Sequence, residues 1–353
     1  MAERVRRERR SGRGPTMTDV ARLAGVSPMT VSRVINGEGA VQPDTRDKVR
    51  TAIDELGYVP NPAARSLAGA RQYRLALLHD NPSAAFLSEL LVGALAEAAR
   101  SDALLVVEPC AGIEPAQLVR HLVAHRVDGV ILPPPLCEAP ELLAALDEAR
   151  LPMVQVATGV PHPGAFSVGI DDEAAAFAMT THLIELGHRR IGLIAGDPNL
   201  SASELRRRGY RRALEQAGLP HDPVLEQQGY FTWRSGMVAA EALLALPERP
   251  TAIFACNDDM AAAAVATAHR HGLEVPRDLS VCGYDDTSVA TMVWPELTTI
   301  RQPVGDMARA ATRLLVEALG AAQDGGPVPE RHHWLHFQLM RRQSDTRFSR
   351  VLV

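Results

Sequence analysis

Residues 16–57, TMTDVARLAGVSPMTVSRVINGEGAVQPDTRDKVRTAIDELG, decide how the rest of the chain is read. The stretch predicts three short helices. Thr18 is placed to cap the first, with Asp19 in its opening turn near the positive helix end. Val20, Leu23 and Ala24 recur at i, i+3 and i+4, so one face is apolar. Gly25 supplies the positive φ of a tight turn. Ser27 then caps a second helix, with Pro28 at its first position, where the missing N–H costs nothing. Val31, Val34 and Ile35 make its apolar face and Asn36-Gly37 ends it. Pro43 opens a third helix carrying Val49, Ala52, Ile53 and Leu56 on one face, and Gly57 closes it.

Two helices joined by a Gly-containing turn of about four residues form a helix-turn-helix, whose second helix lies in the DNA major groove. With Val31, Val34 and Ile35 turned inward, that helix offers Pro28, Met29, Arg33 and Asn36 to the groove. Arg33 suits a bidentate contact to guanine, and Met29 offers only apolar contact. Ser27, Thr30 and Ser32 suit phosphates, which set register without reading sequence. Any small helical bundle shows such faces, so a purely structural bundle stays open on pattern alone.

Charge supports the nucleic-acid reading. The chain has 353 residues and a net charge of −5, but residues 1–71 hold 13 basic against 8 acidic residues. The remainder is strongly acidic. A basic head on an acidic body points to a nucleic-acid partner for the head. Residues 1–15 also fit a solvated basic tail, extra phosphate contacts or a start codon placed too early. Hydrophobic residues at 46% and charged residues at 22% describe a globular protein, and no apolar run approaches the roughly 18 residues of a membrane span. The basic start lacks the apolar stretch of a signal peptide. Cys110, Cys137, Cys256 and Cys282 form no C-x-x-C pair and read as reduced cytosolic thiols, so the expected location is the cytoplasm, with no membrane partner.

The acidic body alternates strand and helix. Leu75–His79, Leu104–Val107, Gly129–Leu132, Met153–Val156 and Ser167–Ile170 are short apolar runs. Leu87–Arg100 and Glu114–His125 between them read as helices. The pattern returns with strands at Arg190–Ala195, Ala252–Ala255 and Leu279–Cys282 and helices at Glu173–Leu186, Glu204–Ala217 and Gly236–Leu246. Such alternation predicts parallel sheets covered by helices. Two units of similar size imply two lobes with a cleft, a favoured ligand site. Ligands in open α/β sheets sit beyond the carboxyl ends of strands. Asp80 and Asn81, Asp171, Asn257 and Asp258, and Asp285 stand there. Carboxylates and amides suit sugar hydroxyls, because each shares several hydrogen bonds. Phe231, Trp233 and Trp294 are the aromatics that could stack on a sugar ring or a base. Each has a plainer reading: an Asp after a strand is often a helix N-cap, and a Trp is often core.

The run V-A-x-x-A-G-V-S-x-x-T-V-S-R-V-x-N at 20–36 and Y-x-P-N-x-x-A-R-x-L at 58–67 together resemble the LacI/GalR family of bacterial repressors. The resemblance continues through GHRRIGLIAGD, FACNDDMA, VCGYDD and PELTTIRQP, from about residue 16 to 345. It implies an α/β protein: an all-α helix-turn-helix head plus a two-lobed, periplasmic-binding-protein-like (type I) effector domain with parallel sheets. It also implies a domain plan. Residues 1–15, read as a basic disordered extension, lie outside the family pattern; the DNA-binding domain takes 16–59, and a hinge helix and linker occupy 60–71. The effector-binding and dimerisation domain follows at 72–345, with lobe 1 at about 72–170 and 304–328 and lobe 2 at about 171–300 and 331–345. A tail at 346–353 ends the chain. In the hinge, Asn61 to Ala68 is too short to be stable alone and folds on the minor groove. Leu67 matches the family's wedging leucine, Arg65 lies beside it, and Ala68 stands where many relatives have Lys. Arg206 stands at the position of the effector-binding arginine; its other reading is one member of a solvated Arg206-Arg207-Arg208 run. Thr18 joins the DNA contacts.

Several motifs are missing. His332, His333, His336 and the pair His121 and His125 lack a ligand set at zinc spacing and read as solvated. There is no phosphate loop, nucleophile elbow or dinucleotide fingerprint, so no cofactor, metal or enzymatic activity is implied. The expected protein is a homodimer on a pseudo-palindromic operator of double-stranded DNA, since two-fold symmetry demands two related half-sites. A sugar or glycoside in the cleft would control it. The tail RRQSDTRFSRVLV has no leucine heptads for tetramer formation. Three rivals stand: an exported sugar-binding protein, which would need a signal peptide and no basic head; an enzyme fused to a DNA head, which turnover would reveal; and a non-specific architectural protein. The last is separable by Arg33→Ala. If Arg33 reads a base, the variant loses roughly 1–3 kcal/mol of discrimination at one base pair in binding titrations. Equal weakening on all sequences would favour the architectural reading.

Overall fold

The computed structural model describes residues 15–36, 41–58 and 72–348. The chain divides into two compact units at the Gln72/Tyr73 junction. The first is helical: α1 (Met17–Ala24), α2 (Pro28–Asn36) and α3 (Pro43–Leu56). Val20, Ala21, Val31, Val49, Ala52 and Tyr58 form its buried core, with Val34 and Ile35 packed against them. Gly25 and Gly57 both end helices in the left-handed region, at φ 67° and 60°, where a side chain would be strained. The cap of α1 corrects the sequence reading. It is Thr16, not Thr18: the Asp19 carboxylate accepts from the Thr16 backbone N–H at 2.9 Å and from its hydroxyl at 2.6 Å. Asp19 at N3 closes a capping box with the residue three before it, which leaves Thr18 exposed inside the first turn.

The second unit contains two six-stranded sheets. Its elements run β1 (Arg74–His79), α4 (Ala84–Arg100), β2 (Leu104–Pro109), α5 (Pro115–Ala124), β3 (Gly129–Leu132), α6 (Pro140–Glu148), β4 (Met153–Val156) and β5 (Phe166–Gly169). Then come α7 (Asp172–Glu185), β6 (Ile191–Ala195), α8 (Ser201–Gln216), β7 (Glu226–Gln228), α9 (Trp233–Leu244), β8 (Ala252–Ala255), α10 (Asp258–Arg270) and β9 (Ser280–Asp285). The last elements are α11 (Val289–Met292), β10 (Thr298–Arg301), α12 (Val304–Asp324), β11 (His332–Trp334) and β12 (Gln338–Met340). The first lobe's sheet has the order β11-β5-β4-β3-β1-β2 and the second β12-β10-β9-β8-β6-β7. All pairings are parallel except β12 with β10. Central strands such as β3, β4, β6 and β8 are buried along their whole length, which is why they read as unbroken apolar runs.

The chain crosses between lobes three times. It leaves the first after β5, returns with α12, which packs on α4 and on β3, β4 and β5, and leaves again after β11. The final crossing corrects the expected boundary at 331. β11 pairs with β5, so residues 332–334 belong to the first lobe, and the second lobe resumes at β12.

Close approach of α7 and α8 positions the cleft. Gly209 faces the α7 backbone so tightly that a Cβ there would lie 2.2 Å from the Glu173 carbonyl oxygen and 2.8 Å from the Phe177 nitrogen. Backbone atoms cannot rotate aside. Gly209→Ala is therefore expected to destabilise the body by at least about 1–3 kcal/mol, read as a lower urea midpoint with an unchanged slope. An unaltered midpoint would contradict this packing.

Candidate functional site: the recognition helix and the interlobe cleft

In the head, Ser27 caps α2 by accepting from the Thr30 N–H at 3.1 Å, and its hydroxyl lies 2.9 Å from that of Thr30. Those two hydroxyls are therefore tied to the helix start. Pro28, Met29 and Arg33 are exposed on one side, Met29 to 67%, while Val31 is fully buried on the other. Ser32 is half-buried between them. An apolar side chain held open to solvent beside an arginine is a surface fit for a base edge. The Asn36 side chain and the hinge residues Asn61, Arg65, Leu67 and Ala68 lie outside the described residues.

In the body, a cleft of about 670 Å³, open solvent at its mouth included, is lined from both lobes. The first lobe contributes Asn81, Ser83, Phe86, Pro134, Pro135 and Glu138; the second contributes Asp197, Leu200, Arg206, Phe231, Asn257 and Asp285. Gln302, in the crossing from β10 to α12, also lines it.

Arg206 organises its floor. It sits on the second turn of α8 with only 4% of its surface exposed. Its Nε donates to Asp172 Oδ1 at 2.8 Å and its Nη1 to the Cys256 carbonyl at 2.6 Å, with Asp285 Oδ1 at 4.0 Å. The guanidinium lies 3.6 Å from the centre of the Tyr284 ring, whose hydroxyl donates to the same Asp172 oxygen at 2.6 Å. Burial opposes the charge, but the carboxylates outweigh it and the arginine pKa is raised. Asp285 moves upward, because burial costs its charged form more than Arg206 and the Gln302 hydrogen bond restore.

The walls show backbone strain. Ala157, Phe231 and Asp285 all line the cleft with positive φ, at 56°, 57° and 108°. Non-glycine residues hold such angles at a cost of about 1–3 kcal/mol each and concentrate at ligand sites. Phe231 is held by Asn257, whose Nδ2 donates to its carbonyl at 3.0 Å. Gly196 makes room for its ring: a Cβ there would meet the Phe231 ring at 2.0 Å.

Polar links join the lobes at two places, and at the second of them the Gly159 N–H of the first lobe also donates to Ser201 Oγ at 2.9 Å. Ser83 Oγ of the first lobe donates to Asp259 Oδ2 of the second at 2.6 Å. Burial raises the pKa of Asp259, and the Ser83 hydrogen bond opposes the shift. Opposite, Glu138 accepts from the Ser201 backbone N–H at 2.7 Å and from the Ser201 hydroxyl. Leu200 precedes α8 and has no side chain that can cap it. The first lobe thus caps a helix of the second.

The expected residues divide. Asn81, Arg206, Phe231, Asn257 and Asp285 come together in the cleft. Asp80, Asp171, Trp233, Asp258 and Trp294 do not line it in this arrangement of the lobes. Asp80 is exposed beyond β1. Asp171 caps α7 by accepting from Ala174 N at 2.9 Å, and it borders a separate groove with Trp334 and His336. Asp258 turns into the core, where Thr287 and Thr299 donate to it. Trp233 and Trp294 point to solvent, 44% and 74% exposed. Ser83, Glu138, Asp197 and Gln302 escaped the sequence reading. Asp197 and Gln302 follow strands as the others do, Gln302 after β10, a strand absent from the sequence reading; Glu138 carries no such signal. Among the described residues no group of three or more His, Cys, Asp or Glu is placed to hold a metal, and no helix is long and apolar enough to cross a membrane.

An exposed recognition helix on one unit and a two-lobed, cleft-bearing body as the other define a DNA-binding transcriptional regulator with an effector domain. Residues 16–61 match the bacterial regulatory proteins of the lacI family, and residues 180–344 match the periplasmic-binding-protein-like domain. The chain is 40% identical over 315 residues to the HTH-type transcriptional regulator CelR of Thermobifida fusca, covering 87% of this chain and 92% of that one. Among solved structures it resembles a CelR–cellobiose complex, with a TM-score of 0.71, 37% identity and coverage of 94% and 99%. It also resembles the lac repressor dimer bound to operator and the anti-inducer ONPF, with a TM-score of 0.72, 29% identity and coverage of 95% and 100%. The chain belongs to the LacI family of bacterial transcriptional regulators.

Removing the buried cation tests the cleft floor. Arg206→Met leaves Asp172 and Asp285 without their partner, a loss expected to cost about 3–5 kcal/mol of stability. Uncompensated carboxylates have raised folded-state pKa values, so stability is present at low pH and lost as pH rises through those values. The deficit against the parent should be largest above pH 7 and smaller near pH 5 in urea unfolding. A pH-independent deficit would contradict the assignment.

Proposed function

We propose that this regulator represses carbohydrate-use genes as a homodimer in the cytoplasm and leaves its operator when a sugar or glycoside enters the interlobe cleft. The observation that carries this reading is the cleft itself, lined from both lobes and spanned by the Ser83–Asp259 and Glu138–Ser201 links. A ligand that replaces or strengthens those links changes how the lobes sit on each other. Such a ligand shifts operator binding only if its affinity differs between the two arrangements.

Polar groups beside apolar faces suit a sugar ring, and the CelR–cellobiose likeness supports a sugar of that kind. Arg206, Phe231, Asn257, Asn81 and Asp285 are the proposed contacts. Arg33 and Met29 read bases, and Ser27, Thr30, Ser32 and Thr18 lie toward phosphates. Leu67, flanked by Arg65 and Ala68 and preceded by Asn61, wedges into the central step of a pseudo-palindromic operator, a step that pyrimidine–purine sequences make easiest to open. The protein binds and releases; it does no covalent chemistry.

Selection of genomic fragments with the purified chain, followed by challenge with cellobiose and a panel of other glycosides, tests this. One shared pseudo-palindrome released by one sugar is expected. A shared site that tightens with sugar would reverse the sign of control. Fragments with no common motif would overturn sequence-specific regulation.

A further inference from the structure

The polar groups of the cleft are strongly one-sided in charge. Its charged lining residues are Glu138, Asp197, Asp285 and Arg206. The single cation is already engaged with Asp172, the Cys256 carbonyl and Asp285. The chain's one lysine, Lys48, lies in the head. A phosphate dianion therefore meets the Glu138 and Asp197 carboxylates, and Asp285, whose burial favours its neutral form, with no unengaged cation among the lining residues.

The α8 N-terminus would be the natural anion seat of such a cleft. Glu138 already fills it, accepting from the N–H and hydroxyl of Ser201. One buried acceptor in the cleft wall lacks a protein partner. Gln302 is 3% exposed, its Nε2 donates to Asp285 Oδ1 at 2.5 Å, and its Oε1 has no hydrogen-bond partner. A buried acceptor without a protein partner is satisfied by an ordered water or by a ligand donor. A sugar hydroxyl supplies one; an ester keeps its remaining hydroxyls, so discrimination against it rests on the acidic walls.

We propose that the cleft selects an uncharged, unphosphorylated polyhydroxyl ligand and rejects its phosphate ester. This rests on the sugar reading above and names the form of sugar that is read. An O–H of the ligand donates to Gln302 Oε1 while its C–H face lies on Phe231 and the Pro134-Pro135 wall. Acceptor-rich walls repel the ester, because like charges brought together cost affinity. The regulator then senses a sugar before any phosphoryl transfer to it. Glycoside hydrolysis, which leaves products uncharged, preserves the class of signal; a kinase-type esterification ends it.

Calorimetric titration of the full chain with matched pairs tests this: cellobiose and its 6′-phosphate, glucose and glucose 6-phosphate, and further mono- and disaccharides with their esters, at constant ionic strength. A neutral member is expected to bind at least roughly tenfold more tightly than its ester, and inorganic phosphate should not compete with it. Asp197→Asn and Glu138→Gln should each narrow that gap several-fold. An ester that binds as tightly as its neutral partner would overturn this inference and leave the sugar reading standing. If no member of any pair binds, the sugar reading falls and this inference falls with it.

Discussion

A guanidinium taken out of water needs charge and hydrogen bonds around it, and the burial of Arg206 imposes that requirement on the whole second lobe. Asp172 at the start of α7, the Cys256 carbonyl beyond β8 and Asp285 at the end of β9 must converge on one point. The parallel sheet makes this possible, since β8 and β9 pair in register and end on the same side. The α8 backbone must also lie flush on α7, which Gly209 alone permits. Tyr284 completes the site as a flat shelf under the guanidinium. Packing, capping and electrostatics therefore point to one arrangement of the cleft floor.

The rest of the cleft is less self-sufficient. Strained backbone at Ala157, Phe231 and Asp285, an acceptor on Gln302 without a partner and a helix capped only from the opposite lobe all lie within one cavity. Each is a local cost that a bound molecule or a change of lobe orientation can offset. A two-arrangement body of this kind can couple a small ligand to a distant event, because each arrangement satisfies different groups. The third, β11-to-β12 crossing means that lobe movement is shared by three connections, rather than by one hinge.

Much of the fold was legible because burial on both sheet faces writes strands as apolar runs, as in Gly129–Leu132, Met153–Val156 and Ala252–Ala255. The edge strands β7, β11 and β12 are three polar or mixed residues each, which no periodicity reveals, and the misplaced lobe boundary at 331 follows from that. The Thr16 cap was missed because Thr18 also precedes apolar residues; only counting back three from Asp19 separates them. In the cleft, the strand-end rule found Asn81, Asn257 and Asp285 but could not tell them from Asp80, Asp171 and Asp258. An N-capping acid and a ligand-facing acid look alike in sequence, and Asn257 is both a cap and a wall. Of Phe231, Trp233 and Trp294, the three aromatics offered for stacking, Phe231 lines the cleft, admitted by Gly196.

Coupling between cleft and operator is the central claim, and linkage gives it a direct measurement. The releasing sugar is titrated into the free chain and into its operator complex, and operator affinity is measured with and without saturating sugar. The account predicts that the sugar binds the free protein more tightly than the complex, and by the same factor that it weakens operator binding. Equal sugar affinity for free and operator-bound protein would contradict it.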